Sequence, residues 1–328
     1  MFSRICSAVA LTFGLSPLAQ AATPIFVLNS LDADISVVDP VSFKQVQRIP
    51  TGKEPHHLYL SPDEKSLVVA NALGDSLTFL DPATARVQRV VRGLGDPYHL
   101  RFSPDMKWFV TAANRLDFVA IYRWVPSDPN NPAQLVKRVP APKTPSHLSI
   151  DSKSTTVFAS LQDSDQLAAI DLNTQTTRWT ASVGKMPADI FLLPDDKTLL
   201  VALTGDDKVE VYDVSGASGP KLIKRISTGK GAHSFRNWGD HRHVLVSNRA
   251  GNSISKIDTQ TLSVVDQYPA PGGPDDMEVL KDGKTILVTS RWARKLTEID
   301  TVTHKVVRQV NVGKSPHGVY TLDHMPRQ

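Results

Sequence analysis

The chain has 328 residues, 41% of them apolar and 21% charged, and a formal net charge of +4. This is enough apolar material for a sizeable core, and an all-β ring of such length fits one domain. The basic excess is mild and contains no long run of Lys or Arg, so a nucleic-acid partner is not indicated.

The N-terminus has the layout of a secretory signal peptide. Arg4 supplies the positive end, Ile5 to Leu15 is largely apolar, and Ala19-Gln20-Ala21 fits the small-x-small cleavage rule. Residues 1–21 are therefore expected to be a leader cleaved after Ala21, and 22–328 the mature domain, periplasmic or secreted. The apolar stretch is too short for a membrane span, and no later run is long enough. The single cysteine, Cys6, falls inside the leader and away from its cleavage site. A mature chain without thiols excludes disulfides, zinc–thiolate sites, thiol catalysis and c-type haem attachment.

Three strands are predicted next, in IFVLNS, DISVVD and KQVQRIP. From Lys53 a unit then repeats. In its first copy HLYLS is a strand and SPDEK a tight turn suited to Pro and Asp. SLVVAN is a second, strongly apolar strand; ALGDS leads to a third, LTFLD, and DPAT to a fourth, RVQRV. Pro55, Pro97, Pro145, Pro187, Pro274 and Pro316 mark the register, with Ala232 in the fifth slot. The spacings are 42, 48, 42, 45, 42 and 42 residues. The unit starting at Asp96 carries the insertion VPSDPNNPAQ, read as a lengthened surface hairpin. The last unit supplies one strand only, HGVYTL, and the three N-terminal strands complete it. The predicted fold is all-β: a seven-bladed β-propeller of four-stranded antiparallel blades, closed by strands from both ends of the chain. Period-2 runs and β-branched residues disfavour a helical solenoid.

The residues also carry a family resemblance. VVAN, VSN and VLN stand where YVTN-type repeats have their YVTN strand. SVVD, TFLD, AAID, EVYD, SKID and TEID match the following strand, and SPDEK, SPDMK, LPDDK and LKDGK match the SPDGK turn. Over the whole mature chain the sequence resembles this YncE-like propeller family. The resemblance implies the fold and leaves the function open, because such blades carry many activities.

Asp39, Asp81, Asp171, Asp213, Asp258 and Asp300 recur at the end of the third strand. They are read as turn residues whose carboxylates accept backbone N–H groups. The residues after each proline are read as the site. One position on, the ring is His56, Tyr98, Ser146, Ala188, His233, Asp275 and His317. Two positions on, it is His57, His99, His147, Asp189, Ser234, Asp276 and Gly318. Both are expected at one mouth of the central channel, the top. Alternation places His57 with Tyr59, His99 with Arg101, His147 with Ser149 and Asp276 with Glu278. The second ring (His57, His99, His147, Asp189, Asp276) should line the channel. The first (His56, His233, Asp275, His317), with Arg115, Arg249, Arg291 and Trp292 from the second-to-third strand loops, should form its rim. His56 and His57 should diverge if the backbone is extended. His241 and His243 fall in a turn on the opposite face and read as solvated.

Three readings stay open for this cluster. The histidines and acids could bond neighbouring backbone and hold the blades in register. They could bind a transition metal, with His57, His99 and His147 as ligands, a haem-type tetrapyrrole or a polar small molecule. Or the site could be catalytic. The chain resembles seven-bladed lactonases in its PxHL–SPD rhythm, which implies an imidazole base with Arg115 or Arg249 steadying an oxyanion. The fold also resembles the haem d1 propeller of cytochrome cd1 nitrite reductases and the heavy chain of methylamine dehydrogenase. No G-x-S-x-G, H-E-x-x-H or P-loop motif is present. The expectation is a monomeric binding or accessory protein that engages a small ligand, a metal or cofactor, or a periplasmic protein partner through its top face.

Overall fold

A computed structural model describes residues 22–327. The expected leader, 1–21, lies outside the described residues. Seven four-stranded antiparallel sheets form the blades, six running in chain order from inner to outer strand and the closing one starting from the last strand of the chain. The inner strands are Pro55–Leu60, His99–Phe102, Pro145–Ile150, Pro187–Leu192, Ala232–Asn237, Pro274–Val279 and Pro316–Tyr320. Each packs beside the next, and the last returns to the first. In the closing blade Pro316–Tyr320 pairs antiparallel with Ile25–Asn29, Val319 opposite Val27 and Tyr320 opposite Phe26. The sequence expectation for this closure holds. Among the described residues the only helical piece is the 3-10 turn Gln162–Ser164, and no helix is long and apolar enough to cross a membrane.

The core sits between blades. In the strand Leu67–Asn71, Val68 and Ala70 pack with Leu100 and Phe109 of the following blade. Leu67 and Val69 pack with Phe26 and Leu28 of the preceding one. Successive side chains of a strand point to opposite faces, so a strand covered on both sides is apolar throughout. This is why LVVAN and its counterparts read as unbroken apolar runs. Outer strands such as Lys44–Pro50 have one neighbour only and are largely exposed.

The recurrent aspartates act as predicted. Asp39 accepts Ser42 N–H at 2.7 Å, Asp81 accepts Thr84 N–H at 3.0 Å and Asp300 accepts Thr303 N–H at 3.0 Å. A second set was not foreseen. Asp75, Asp117, Asp165, Asp207 and Asn252 all sit at positive φ in the second-to-third strand turn. Each accepts the N–H of the residue just before the next blade's marker proline, or before Ala232 in its place. The donors are Asp96 (2.9 Å), Thr144 (2.8 Å), Met186 (2.8 Å), Gly231 (2.7 Å) and Gly273 (2.9 Å). The donors too have positive φ. Asp and Asn tolerate this conformation better than other side-chain-bearing residues. These bonds staple blade to blade immediately above the channel residues.

Candidate functional site

The start of each inner strand shapes the site. In six of the seven a register shift follows the proline or its alanine substitute, so that one extra residue opposes the second strand. Such a bulge re-aims side chains. It corrects the expectation that His56 and His57 diverge: their rings lie 4.8 Å apart, and both approach His317, at 3.7 and 4.7 Å between ring centroids. It also corrects the rim. His56, His233, Asp275 and His317 are buried, as are the second-ring residues His57, His99, His147 and Asp189.

Six histidines from five blades therefore meet in the channel. His57 stands edge to face with His99 at 4.5 Å and His147 at 4.9 Å, and His99 lies 4.8 Å from His147. Every one of the six is at most 4% exposed. Burial lowers all their pKa values, that of His147 to about 3 and that of His233 to about 4. They are thus neutral imidazoles at physiological pH, the form that ligates metals. Three groups bring ligating atoms within 4.8 Å of one another: His56–His57–His317, His57–His99–His147 and His233–Asp275–His317.

The charge beside them separates these groups. Asp275 accepts from Arg249 at 2.6 Å and Arg291 at 2.9 Å, with His233 Nε2 at 3.2 Å and His317 Nε2 at 3.6 Å. Burial pushes this carboxyl up, but Arg249 and its neighbours outweigh it and hold Asp275 well below the usual carboxylate range. It is a structural hub, already neutralised. His57 Nε2, His99 Nδ1 and His147 Nε2 are buried without a hydrogen-bond partner, as are His56 Nδ1 and both ring nitrogens of His233 and His317. Of the three groups, only His57–His99–His147 has no member facing the arginine-bound Asp275. The opposite nitrogen of one is hydrogen-bonded, and that of another faces a carboxylate beyond hydrogen-bond reach. His57 Nδ1 faces Asp276 at 3.7 Å, and His147 Nδ1 lies 2.9 Å from Ser146 Oγ. An oriented far nitrogen with a free near one is the usual arrangement of a histidine ligand. Burial and the adjacent Asp275 raise Asp276 to about 7, and it accepts Ser234 Oγ–H at 2.7 Å.

Two nitrogens held at about 2.1 Å from one ion lie at most about 4.2 Å apart, so the 4.8 Å grouping closes on an ion by small ring rotations. The residues fit a transition metal. They do not fit a tetrapyrrole between them, because rings 4.5 to 4.9 Å apart leave no slot for a planar macrocycle.

His57, His99, His147, Asp189 and Asp276 roof a cavity of about 300 Å³ that extends along the inner strands to Pro104, in a first-to-second strand turn. The chamber therefore reaches toward the bottom face, away from the top-face mouth expected from sequence. Asp189 accepts N–H groups of Ile190 and Phe235, both at 2.8 Å, and is raised by burial. Below it lie Tyr59, Arg101, Ser149, Phe191 and Arg236. Glu278 pairs with Arg236 at 2.6 Å and with Arg327 of the C-terminal segment. The sequence reading passed over Arg236 and Arg327. Arg236 follows Ser234 by two positions, as Arg101 follows His99, and that alternation could have found it.

Two rim residues do not join the cluster. Arg115 is engaged by the buried Asp96 at 3.0 Å and by the carbonyl of Ala72. Trp292 is 59% exposed and covers Gly273, where φ is +72° and an added Cβ would come within 2.6 Å of the indole. With Arg249 held by Asp275, both arginines assigned to an oxyanion already face a carboxylate. His243 bonds Asp240 in its turn at 2.6 Å, consistent with a local role.

Fold and site together define a seven-bladed propeller with a histidine-lined channel. The chain belongs to the YncE-like β-propeller family, whose sequence profile matches residues 1–327. No curated protein matches it by sequence. Similar solved structures include a functionally unknown protein of Desulfotomaculum acetoxidans, at 14% identity and TM-score 0.76, covering 91% of this chain and 98% of that one. The periplasmic gluconolactonase PpgL of Pseudomonas aeruginosa is 18% identical, with a TM-score of 0.74 and coverage of 91% and 98%. The dihydro-heme d1 dehydrogenase NirN, solved in complex with DHE, is 17% identical, with a TM-score of 0.67 and coverage of 92% and 76%. At these identities the likeness is one of fold.

Proposed function

We propose that this propeller is a binding or accessory protein whose channel holds one late first-row transition-metal ion on His57, His99 and His147. The observation that carries this reading is the convergence of three buried, unpartnered ring nitrogens from three blades. Buried polar atoms without partners are rare in native proteins, and neutral imidazole suits Zn, Cu, Ni or Fe(II). Asp276 faces His57 Nδ1 at 3.7 Å, and a small ring rotation on metal binding would make it the carboxylate that orients this ligand. The remaining coordination position faces the chamber and is free to take a ligand from it. Hydrolysis of a lactone is less well supported, since Arg115 and Arg249 are engaged by Asp96 and Asp275. In this reading the protein is exported and acts as a monomer with a periplasmic small molecule or protein. Sequencing the exported chain should then give Ala22 as its first residue.

The test is elemental analysis of untagged protein with His57→Ala, His99→Ala and His147→Ala. One equivalent of metal in the parent, lost in each variant, is expected. No metal, together with no thermal shift on adding Zn, Cu, Ni or Fe(II), overturns the reading.

A further inference from the structure

The chamber beneath the histidines holds a cation that no carboxylate of the described residues pairs with. Arg236 and Arg327 share Glu278. Arg101 lines the same chamber, and among the described residues no carboxylate pairs with it. Its Nη1 is buried without a hydrogen-bond partner. The guanidinium lies over the Tyr59 ring at 4.2 Å, which fixes its plane. The acid that acts on it most strongly, Asp189, commits both oxygens to backbone N–H groups. A guanidinium stays protonated in proteins, so Arg101 is a cation at neutral pH. Arg101 as a whole is half-buried, but a buried guanidinium nitrogen without a partner is disfavoured unless a ligand completes it.

The rest of the chamber defines that ligand. Ser149 neighbours Arg101 at the same level, while Leu58, Phe102, Ile190 and Phe235 supply apolar wall. A planar guanidinium matches a carboxylate with two parallel hydrogen bonds. A volume of about 300 Å³ lies at the small end of ligand pockets.

We propose that the chamber binds a small organic carboxylate, its carboxylate on Arg101 and its body against the apolar wall. This goes beyond the metal reading and does not require the ion. It is therefore tested on full-length protein stripped with EDTA, so that failure here and failure of metal binding are separate results.

Calorimetric titration with acetate, succinate and benzoate should give saturable, one-to-one binding for at least one of them. Benzamide, which lacks the charge, should not bind. Arg101→Met should weaken the carboxylate at least tenfold. The same variant should melt no lower than the parent without ligand, because it removes an unpaired, half-buried charge. Absence of saturable binding by all three acids overturns the proposal. So does retained affinity in Arg101→Met, or a lower melting temperature of that variant, which would mark Arg101 as a structural residue.

Discussion

The His57 and His99 rings stand edge to face with centroids 4.5 Å apart, although 42 residues separate them in the chain. They meet because each follows a blade-starting proline by two positions, and the closed ring returns that position to one level of the channel. A hydrophobic core between blades and a staple above each strand fix that level.

The hub at Asp275 predicts a stability effect independent of any metal. Asp275→Asn leaves Arg249 and Arg291 without their carboxylate, at 21% and 26% side-chain exposure. Removing one partner of such a buried pair destabilises by about 3 kcal/mol. Urea unfolding should show it as a lower midpoint with unchanged slope; an unchanged midpoint contradicts the hub.

The histidines predict acid lability in EDTA-treated protein. All six have folded pKa values lowered from about 6.5 by burial. Below about pH 6.5 the unfolded chain binds protons that the folded protein does not, so stability falls with pH, by up to about 1.4 kcal/mol per unit for each histidine. Asp276, raised by burial to about 7, works in the opposite sense. Its contribution is full below about pH 3.8 and is lost as pH rises through about 7. Asp189, also raised by burial, acts in the same sense as Asp276. Six imidazoles outweigh these two carboxyls, so the urea midpoint at pH 5 should lie well below that at pH 7.5. Equal midpoints would mean the imidazoles are not held neutral.

Closure of the ring can be tested by truncation. Deleting residues 314–328 removes the inner strand Pro316–Tyr320, and with it Val319 and Tyr320, which are buried in two different inter-blade clusters. Cooperative unfolding should be lost or its midpoint severely lowered. Deleting only 324–328 removes the Arg327–Glu278 pair and leaves the strand, so the drop should be smaller. A parent-like transition after the longer deletion would contradict closure.

The blade-to-blade staples predict a difference between two substitutions at one position. Asp207 accepts Gly231 N–H at 2.7 Å from a residue at φ 53°. Asp207→Ala loses a hydrogen bond to a charged acceptor and should destabilise by about 2 kcal/mol. Asp207→Asn, the residue type that does the same work at Asn252, should be close to neutral. Equal effects of the two would remove the staple from the account.

Much of this architecture is legible in the sequence. The proline spacing fixes the blade count, and the apolar runs are unbroken where a strand is sandwiched between blades. The rings of His57, His99 and His147 and of His56, His233 and His317 follow from counting past each proline. Three things do not follow from that count. The bulge after the proline turns His56 and His57 to the same side, and a pattern of strict alternation cannot carry an inserted residue. The pairing of Arg249 with Asp275 depends on packing between neighbouring blades, and that of Arg115 with Asp96 on how two loops of one blade meet. The staple residues Asp75, Asp117, Asp165, Asp207 and Asn252 recur with the spacing of the blades, yet an Asp in a polar turn reads as an ordinary turn residue until its partner is seen.

The central claim is that His57, His99 and His147 hold one ion. X-ray absorption at the metal edge of protein loaded with a single equivalent of zinc or copper tests it most directly. The account predicts a first shell with three imidazole nitrogens at about 2.0 Å, reduced by one in His99→Ala. A first shell of oxygens alone, or one unchanged by that substitution, would contradict it.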